Sequence, residues 1–118
     1  MNLGTFSISL AVKNIDKSIS FYTHLGFKVV DGGHLNEGFK DSETMKWRIL
    51  ANSSVKIGLF QGMFNSNILT FNPKDVLKLQ EVIKEKGISF IKEAKASDAI
   101  KSIILADPDG NQIMLDQH

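Results

Sequence analysis

The sequence predicts an α+β fold in which tandem βαβββ modules form a curved mixed β-sheet with helices on the outer face. Three observations predict this class: a repeat at constant spacing, two short amphipathic helical patterns, and alternating apolar strands around them. The repeat places Gly26 and Gly87 61 positions apart. The same spacing pairs Ile8 with Leu69, Leu10 with Phe71 and Ile15 with Val76. The 118 residues are therefore expected to be a single domain of two modules, about 1–62 and 66–118.

The first module opens with a strand and a helix. Apolar and polar residues alternate over Phe6–Val12, which is typical of a half-buried strand. Asn14 suits the helix N-cap because its side chain accepts a hydrogen bond from a free backbone N–H, and Gly26 suits the helix end. The buried stripe of this helix is predicted to contain Ile15, Ile19 and Tyr22. Three further strands are expected at Phe27–Val30, Met45–Leu50 and Val55–Phe60, with Asp31–Gly33 as a turn.

The second module repeats this order after a linker at Gln61–Ser66. A strand is expected at Asn67–Phe71, and the helix is expected to start with Asn72 as its cap. Pro73 then takes the first helical position, and Asp75 provides an acid in the first turn. The buried stripe is Val76, Leu79 and Ile83, and Gly87 ends the helix. Further strands are expected at Ile88–Ile91, Ile100–Leu105 and Asn111–Asp116, the last two joined by a turn at Asp107–Gly110.

Composition and charge exclude several classes of protein. Lys and Arg number 14 and Asp and Glu 13, a net charge of +1 without a basic cluster, so no nucleic-acid partner is expected. The chain has 0 cysteines, which excludes disulfides, thiolate metal sites and thiol nucleophiles and favours the cytoplasm. The longest apolar runs, such as Ile103–Ala106, are too short to span a bilayer, and the first ten residues lack a signal-peptide pattern. No membrane partner is therefore expected.

The sheet face turned away from the helices is the predicted ligand cleft. A twisted sheet with one uncovered face tends to curl, and a mixed concave surface suits a small ligand. The predicted cleft residues are Ser7, Ser9, Trp47, Lys56, Gly58, Phe60, Gln61, Ile68, Thr70, Gln112 and Met114. Alternatively, a second copy of the chain covers this face. The two interpretations are compatible because the mouth of a cleft can lie beside a dimer seam.

Aromatic and thioether side chains are expected to line the apolar part of this cleft. They are Phe39, Met45, Trp47, Phe60, Met63, Phe64 and Met114, and such residues suit planar or irregular small molecules. Polar anchors could come from Arg48, Lys56 and Gln61. Trp47 and Arg48 cannot both face the cleft from a regular strand, and Trp47 is predicted to point inward. Protein interfaces favour the same residue types, so a dimer seam stays an alternative.

The order and spacing of these motifs resemble the vicinal oxygen chelate superfamily, the group of glyoxalases, bleomycin-resistance proteins and extradiol dioxygenases. The resemblance rests on Leu10–Asn14, Ser18–Tyr22 and Leu25–Phe27, and on Asp107–Asn111 followed by Ile113–Leu115. It implies a divalent metal in the cleft, held by His, Gln or Glu from the first and last strands of each module. One fold hosts many activities, so the resemblance implies the fold more strongly than the reaction.

The positions that this resemblance assigns to metal ligands fall on Ser7, Gly58, Ile68 and Met114. A serine hydroxyl is a weak ligand, and the other three side chains offer nothing to a hard cation. Neither a metal nor another cofactor is therefore expected.

The first functional hypothesis is a metal-independent protein that binds a partly apolar small molecule in the cleft of a homodimer. The resemblance also implies an alternative, a lyase, isomerase or dioxygenase that uses relocated metal ligands or acid–base residues such as His34, Glu37 or Asp116. A third hypothesis is a dimeric interaction module without a ligand. The sequence assigns no catalytic residue and leaves open whether the protein is an enzyme.

Overall fold

The computed structural model describes residues 1–117, in which the chain forms two helices and seven strands. In chain order they are β1 (Thr5–Val12), α1 (Ile15–His24), β2 (Lys28–Gly32), β3 (Lys46–Asn52), β4 (Val55–Gln61), β5 (Ile68–Asn72), α2 (Val76–Glu85), β6 (Ser102–Ala106) and β7 (Gln112–Asp116). The chain divides into an N-terminal unit, Ser7–Asn67, and a C-terminal unit, Met1–Phe6 with Ile68–His118. Each unit combines one helix with parallel and antiparallel strand pairs, so the predicted α+β class is confirmed.

The N-terminal unit has the strand order β2-β3-β4-β1. β1 runs parallel to β4, with Ile8 opposite Ile57, whereas β3 is antiparallel to both β2 and β4. Helix α1 covers one face of these strands. The buried residues beneath it are Ile15, Leu50, Ile57 and Leu59, with Ile8, Leu10, Ile19 and Tyr22 packed against them. The predicted helix stripe is therefore confirmed.

Both ends of α1 agree with the sequence prediction. The Asn14 side chain accepts a hydrogen bond of 3.2 Å from the backbone N–H of Lys17, and Gly26 follows the helix with φ +96°. The sheet contributes a further cap, since Gln61 Oε1 at the end of β4 accepts a 2.8 Å hydrogen bond from the Ile15 N–H. Three residues from different parts of the unit thus fix the position of this helix.

The C-terminal unit places β7 between β5 and β6, parallel to the first and antiparallel to the second. Its buried core contains Val76, Ile83, Ala94, Ile103 and Leu115. Gln117 Oε1 accepts a 2.9 Å hydrogen bond from the Val76 N–H. The predicted turn between β6 and β7 is confirmed, because the Asp107 carboxylate accepts hydrogen bonds from the backbone of Asp109 and Asn111.

The start of α2 differs from the prediction. Asp75 is the N-cap, and its side chain accepts a 3.1 Å hydrogen bond from the Lys78 N–H. Asn72, predicted to be the cap, is the last residue of β5, and its side-chain amide donates to the Asp116 carbonyl at 2.9 Å. The residue before a proline is disfavoured in the helical region, so Pro73 keeps Asn72 extended.

Two strand predictions need correction. Residues 88–91 do not form a strand, and a single bridge joins Lys92 to Ile104. Ile88 and Ile91 stay exposed, so this short segment gains too little burial to extend the sheet. In the N-terminal unit, β2 continues through Gly32, where a turn was predicted, with an irregularity between Val29 and Asp31. Neither helix in the described part of the chain is long and apolar enough to cross a membrane.

Candidate functional site: an aromatic row on the open sheet face

One face of the N-terminal sheet is turned away from α1, and we call it the open face. Strand pairing places Trp47 opposite Phe60 and Gly58 opposite both Ile49 and Ser9. Side chains alternate between the two faces of a strand, which adds further residues to this face. The open face comprises Ser7, Ser9, Ala11, Lys28, Asp31, Trp47, Ile49, Ala51, Lys56, Gly58 and Phe60. It carries five of the predicted cleft residues from β1 and β4, and Trp47 from β3.

Four aromatic side chains form a continuous row at one end of the open face. The Trp47 and Phe60 rings are nearly parallel, with an interplanar angle of 6° and centroids 6.3 Å apart. Phe39 lies 5.8 Å from Trp47, and Phe64 lies 5.1 Å from Phe60, measured between ring centroids. We call Phe39, Trp47, Phe60 and Phe64 the aromatic row. All four belong to the apolar set named from the sequence, and Met45 and Met63 are half-buried.

The orientation of Trp47 is fixed by its polar atoms. The side chain is 6% exposed, and its indole Nε1 donates a 2.9 Å hydrogen bond to the Phe39 carbonyl. The Trp47 backbone N–H donates to Asp41 Oδ1 at 3.2 Å, and its carbonyl accepts from the Gly33 N–H at 3.0 Å. Since these bonds engage the indole and the main chain, the ring has little freedom to rotate.

Asp41 connects the segment before β3 to Trp47, and sequence reasoning missed it. Its Oδ2 accepts a 2.7 Å hydrogen bond from Arg48, and the two side chains are only 20% and 15% exposed. The same Arg48 nitrogen donates to the Trp47 carbonyl at 2.7 Å. A Cβ at Gly33 would overlap Asp41 Oδ1, so glycine is required there. The sequence feature that could have indicated this contact is an acid and an arginine on either side of Trp47. Such a pair follows no fixed spacing, so sequence reasoning does not identify it.

Gly58 occupies one of the four positions that the resemblance assigned to metal ligands. A Cβ at this residue would lie 2.5 Å from Phe60 Cε2 and 3.3 Å from Ile49 Cδ1. The Phe60 ring therefore covers the space into which a longer side chain at position 58 would extend. A cation at this position would be surrounded by carbon atoms, whereas a divalent cation needs oxygen or nitrogen ligands.

The other three metal-ligand positions fit a cation no better. Ser7 is buried on β1, and in the C-terminal unit Ile68 and Met114 are buried without any oxygen or nitrogen in their side chains. Among residues 1–117, no three His, Cys, Asp or Glu side chains are grouped closely enough to hold a metal ion. The residues present therefore do not fit the divalent metal of the family.

The remaining predicted cleft residues have separate surroundings. Lys56 is exposed near the β3–β4 turn, opposite Ala51, and the amide oxygen of Gln61 is engaged in capping α1. In the C-terminal unit, Thr70 and Met114 are buried opposite each other on β5 and β7. Ile68 lies at the start of β5, and half-buried Gln112 lies at the start of β7. That all eleven residues line one cleft stays a prediction.

The acid–base candidates lie outside the aromatic row. His34 is exposed, and Glu37 forms an exposed ion pair of 3.0 Å with Lys40. Asp116 lies in the C-terminal unit, opposite Ser102. None of these three is a member of the aromatic row or of the open face.

Two exposed side chains of the C-terminal unit, Asp107 and Lys84, have pKa values that differ from their ordinary values. The Asn111 side chain and backbone hydrogen bonds lower the pKa of Asp107. The hydrogen bond and charge of Glu93 raise the pKa of Lys84. Both side chains stabilise local surface contacts and neither belongs to the open face.

A surface groove of about 650 Å³ in the C-terminal unit is separate from the predicted cleft. It follows the start of α2 and is lined by Pro73, Lys74, Lys78 and Leu79, among others. None of the eleven predicted cleft residues lines it. The aromatic row is therefore the better candidate, because it combines the fixed orientation of Trp47 with four apolar rings in contact.

The chain belongs to the glyoxalase/bleomycin resistance protein/dioxygenase superfamily, whose family model matches residues 5–115. This match confirms the resemblance found in the sequence. No curated protein matched the chain in a sequence comparison.

Solved structures with the same fold are distant in sequence. A superfamily member from Vibrio splendidus 12B01 is 20% identical, with a TM-score of 0.63, covering 96% of this chain and 97% of the other. Methylmalonyl-CoA epimerase from Mycobacterium tuberculosis is 17% identical, with a TM-score of 0.69 and coverage of 96% and 87%. The 2,3-dioxygenase LapB from Pseudomonas sp. KL28 is 16% identical, with a TM-score of 0.58 and coverage of 95% and 41%. At these identities the likeness shows the fold alone.

Proposed function

We propose that the protein binds a partly apolar small molecule on the aromatic row, without a metal ion, and that it acts as a homodimer. The observation that carries this proposal is the row itself, four ring systems in contact on an open sheet face. The proposal takes the fold of the superfamily and replaces its metal centre with an aromatic surface.

The row has the properties of a preorganised binding surface. Trp47 is fixed through its indole N–H and its main chain, so binding need not restrict its motion further. Stacked or edge-to-face aromatic pairs contribute about 0.5–1.5 kcal/mol beyond the burial of their area. A ligand with one apolar face could therefore gain affinity from the half-buried Phe60 ring, which stacks with the buried Trp47 ring, without a large ordering cost.

Metal independence is supported by what fills the positions of the expected ligands. Gly58 is covered by the Phe60 ring, and Ser7 supplies at best a weak hydroxyl ligand. Replacing Gly58 with a ligating residue would require Phe60 to move. The two features support binding that does not require a Lewis acid.

We also propose that the protein forms a homodimer and, since it has 0 cysteines, that it is located in the cytoplasm. Several large apolar side chains of the N-terminal unit are exposed, and a second copy of the chain would be one way to bury them. They are Phe21, Leu25, Val30, Leu35 and Val55. Sedimentation velocity at micromolar concentration should show a species of twice the mass of the chain, and a monomer at all concentrations would contradict the dimer.

The binding proposal is tested with N-phenyl-1-naphthylamine, an uncharged probe whose fluorescence rises in apolar surroundings. Trp47 is the single tryptophan of the chain, so energy transfer from tryptophan to the probe reports proximity to the row. We expect saturable binding with energy transfer, unchanged by EDTA. Phe60→Ala should weaken it, whereas Ile91→Ala, at an exposed position of the C-terminal unit, should leave it unchanged.

The alternative function is a lyase, isomerase or dioxygenase with relocated residues. It predicts the opposite result, binding of a metal ion. It requires stoichiometric binding of Zn²⁺, Mn²⁺ or Fe²⁺, lost in His34→Ala, Glu37→Gln or Asp116→Asn. Titration calorimetry with the metal alone measures this. If neither the probe nor a metal binds, the third hypothesis, an interaction module, is the better account.

A further inference from the structure

We infer that the aromatic row selects an uncharged ligand with a flat ring system and rejects organic anions of the same shape. This inference rests on the proposed function and adds the charge and shape of the ligand. It follows from the residues of the open face and from the partners of the polar groups around it.

Among the described residues of the open face, the ionisable side chain nearest to the row is an acid, Asp31, which strand pairing places opposite Ile49. Its Oδ1 accepts a 2.8 Å hydrogen bond from the Gly32 N–H. The residues that border Trp47 and Phe60 across the strands are Ile49, Gly58 and Ala11. Lys56 is the nearest charged residue on this face along β4, and it lies four residues from Phe60, roughly 13 Å at the usual strand rise.

The polar groups nearest to the row are already engaged. Arg48 follows Trp47 in β3 and so starts from the opposite face, and its guanidinium is paired with Asp41. The indole N–H of Trp47 is donated to the Phe39 carbonyl, and the Gln61 oxygen caps α1. Since these groups have partners within the unit, an anionic ligand would have to displace an existing bond to gain one.

This arrangement makes a negative charge on a ligand costly. A charged group that leaves water for an apolar surface loses its hydration, and only a paired charge or strong hydrogen bonds offset that loss. An uncharged ring loses little hydration, and its binding free energy becomes more favourable in proportion to the apolar surface it buries. The row therefore discriminates against anions, because Asp31 repels them and Arg48 is already paired with Asp41.

The shape preference follows from Trp47, Phe60 and Gly58. The two rings are within 6° of parallel, so they present a common direction for stacking. Gly58 leaves room for the Phe60 ring to lie over its Cα, where any Cβ would collide with it. A ligand with fused or linked flat rings matches two parallel rings better than a branched aliphatic molecule does.

The test compares two probes with one skeleton. N-phenyl-1-naphthylamine is uncharged, and 8-anilinonaphthalene-1-sulfonate is the same anilinonaphthalene carrying a sulfonate. We expect the uncharged probe to bind at least about tenfold more tightly. Displacement of the uncharged probe provides a second comparison, in which 2-naphthylmethanol should compete better than 2-naphthoate. Equal or tighter binding of either anion would overturn the inference.

A charge placed on the open face sharpens the test. Ile49→Lys puts an ammonium group beside Gly58, and we expect it to reduce the preference for the uncharged probe over the sulfonate several-fold. Ile91→Lys adds the same charge at an exposed position of the C-terminal unit and should leave the preference unchanged. If Ile49→Lys fails to fold by circular dichroism, the ratio for the native chain still decides the inference. Failure of both probes to bind contradicts the proposed function, whereas binding without preference contradicts only this inference.

Discussion

The two units share a frame of hydrogen bonds but differ on their open faces. Asn14 and Asp75, 61 positions apart, cap α1 and α2 through the same backbone contact. Gln61 and Gln117 each accept a hydrogen bond from the first N–H of the helix in their unit. These corresponding bonds show that the repeat in the sequence is a repeat of structural roles.

The open faces differ at corresponding strand positions. The pair Trp47 and Phe60 on β3 and β4 corresponds to the pair Ser102 and Asp116 on β6 and β7. One unit thus has two stacked rings where the other has a hydroxyl and a carboxylate. The difference teaches that helix caps and core maintain the fold, while the open face is free to diverge in function.

The largest expected effect on stability comes from substitutions in the two hydrophobic cores. Leu59 and Leu115 occupy corresponding strand positions and are both almost completely buried. Leu59→Ala and Leu115→Ala should each lower the free energy of unfolding by about 2–5 kcal/mol, because each leaves a cavity. Urea denaturation measures both. A loss below about 1 kcal/mol in either variant would show that the two cores are not equivalent.

The next largest effect is expected at Asp41, which has no equivalent contact described in the C-terminal unit. Asp41→Asn should lower the free energy of unfolding by about 1–3 kcal/mol, since it removes the charge that matches partly buried Arg48. Trp47 emission should shift to longer wavelength as the segment before β3 loosens. Glu37→Gln, which removes an exposed charge from that segment, is the control and should change neither quantity. Unchanged stability and emission in Asp41→Asn would contradict the positioning role.

Gly58 and its counterpart Met114 sharpen the comparison of the open faces. Gly58→Ala should cost about 1–3 kcal/mol of stability by overpacking, because the new Cβ collides with the Phe60 ring. Probe binding should weaken at the same time. Met114→Leu keeps its volume and should cost less than about 1.5 kcal/mol without an effect on the probe. If Gly58→Ala bound the probe normally, Phe60 would not be part of the site.

The helix caps should give smaller and matching effects. Asn14→Ala and Asp75→Ala each remove the acceptor for one backbone N–H, and each should cost about 1 kcal/mol. Chemical denaturation of both variants, with Ser20→Ala on the exposed side of α1 as a control, measures the difference. Effects that differ several-fold between the two caps would weaken the claim of a shared frame.

The smallest effect is expected from pH at the β6–β7 turn. Hydrogen bonds from Asn111 lower the pKa of Asp107, so the turn is stabilised above the ordinary carboxyl pKa, about 4. That stabilisation is lost as the pH falls through the lower pKa of the folded state. Hydrogen exchange at Gly110 and Asn111 should accelerate there beyond the intrinsic effect of pH. The β3–β4 turn at Ser53 and Ser54 has no carboxylate and should not show this change.

Much of the frame could be predicted from the sequence, because local chemistry determines it. The Asn14 cap, the glycine after each helix and the Asp107 turn follow from hydrogen bonds within a few residues. The prediction was wrong at Asn72, where Pro73 keeps the chain extended, so the cap moved to Asp75. It was also wrong at residues 88–91, where apolar residues without burial do not form a strand.

The candidate site was only partly accessible to sequence reasoning. Alternation along β3 and β4 suggested Trp47 and Phe60 on one face, and the missing metal ligands were visible at Gly58. The contact between Asp41 and Arg48 was not visible, because it joins a segment without regular structure to a strand. Such contacts depend on tertiary packing that periodicity does not contain.

The central claim is that an aromatic surface on the N-terminal unit takes the place of the metal centre. The most direct test is titration of metal-free protein with N-phenyl-1-naphthylamine while energy transfer from Trp47 is measured. The account predicts saturable transfer that is the same in EDTA and in added Zn²⁺, and weakened in Phe60→Ala. Transfer that appears only when a divalent metal is added would contradict it.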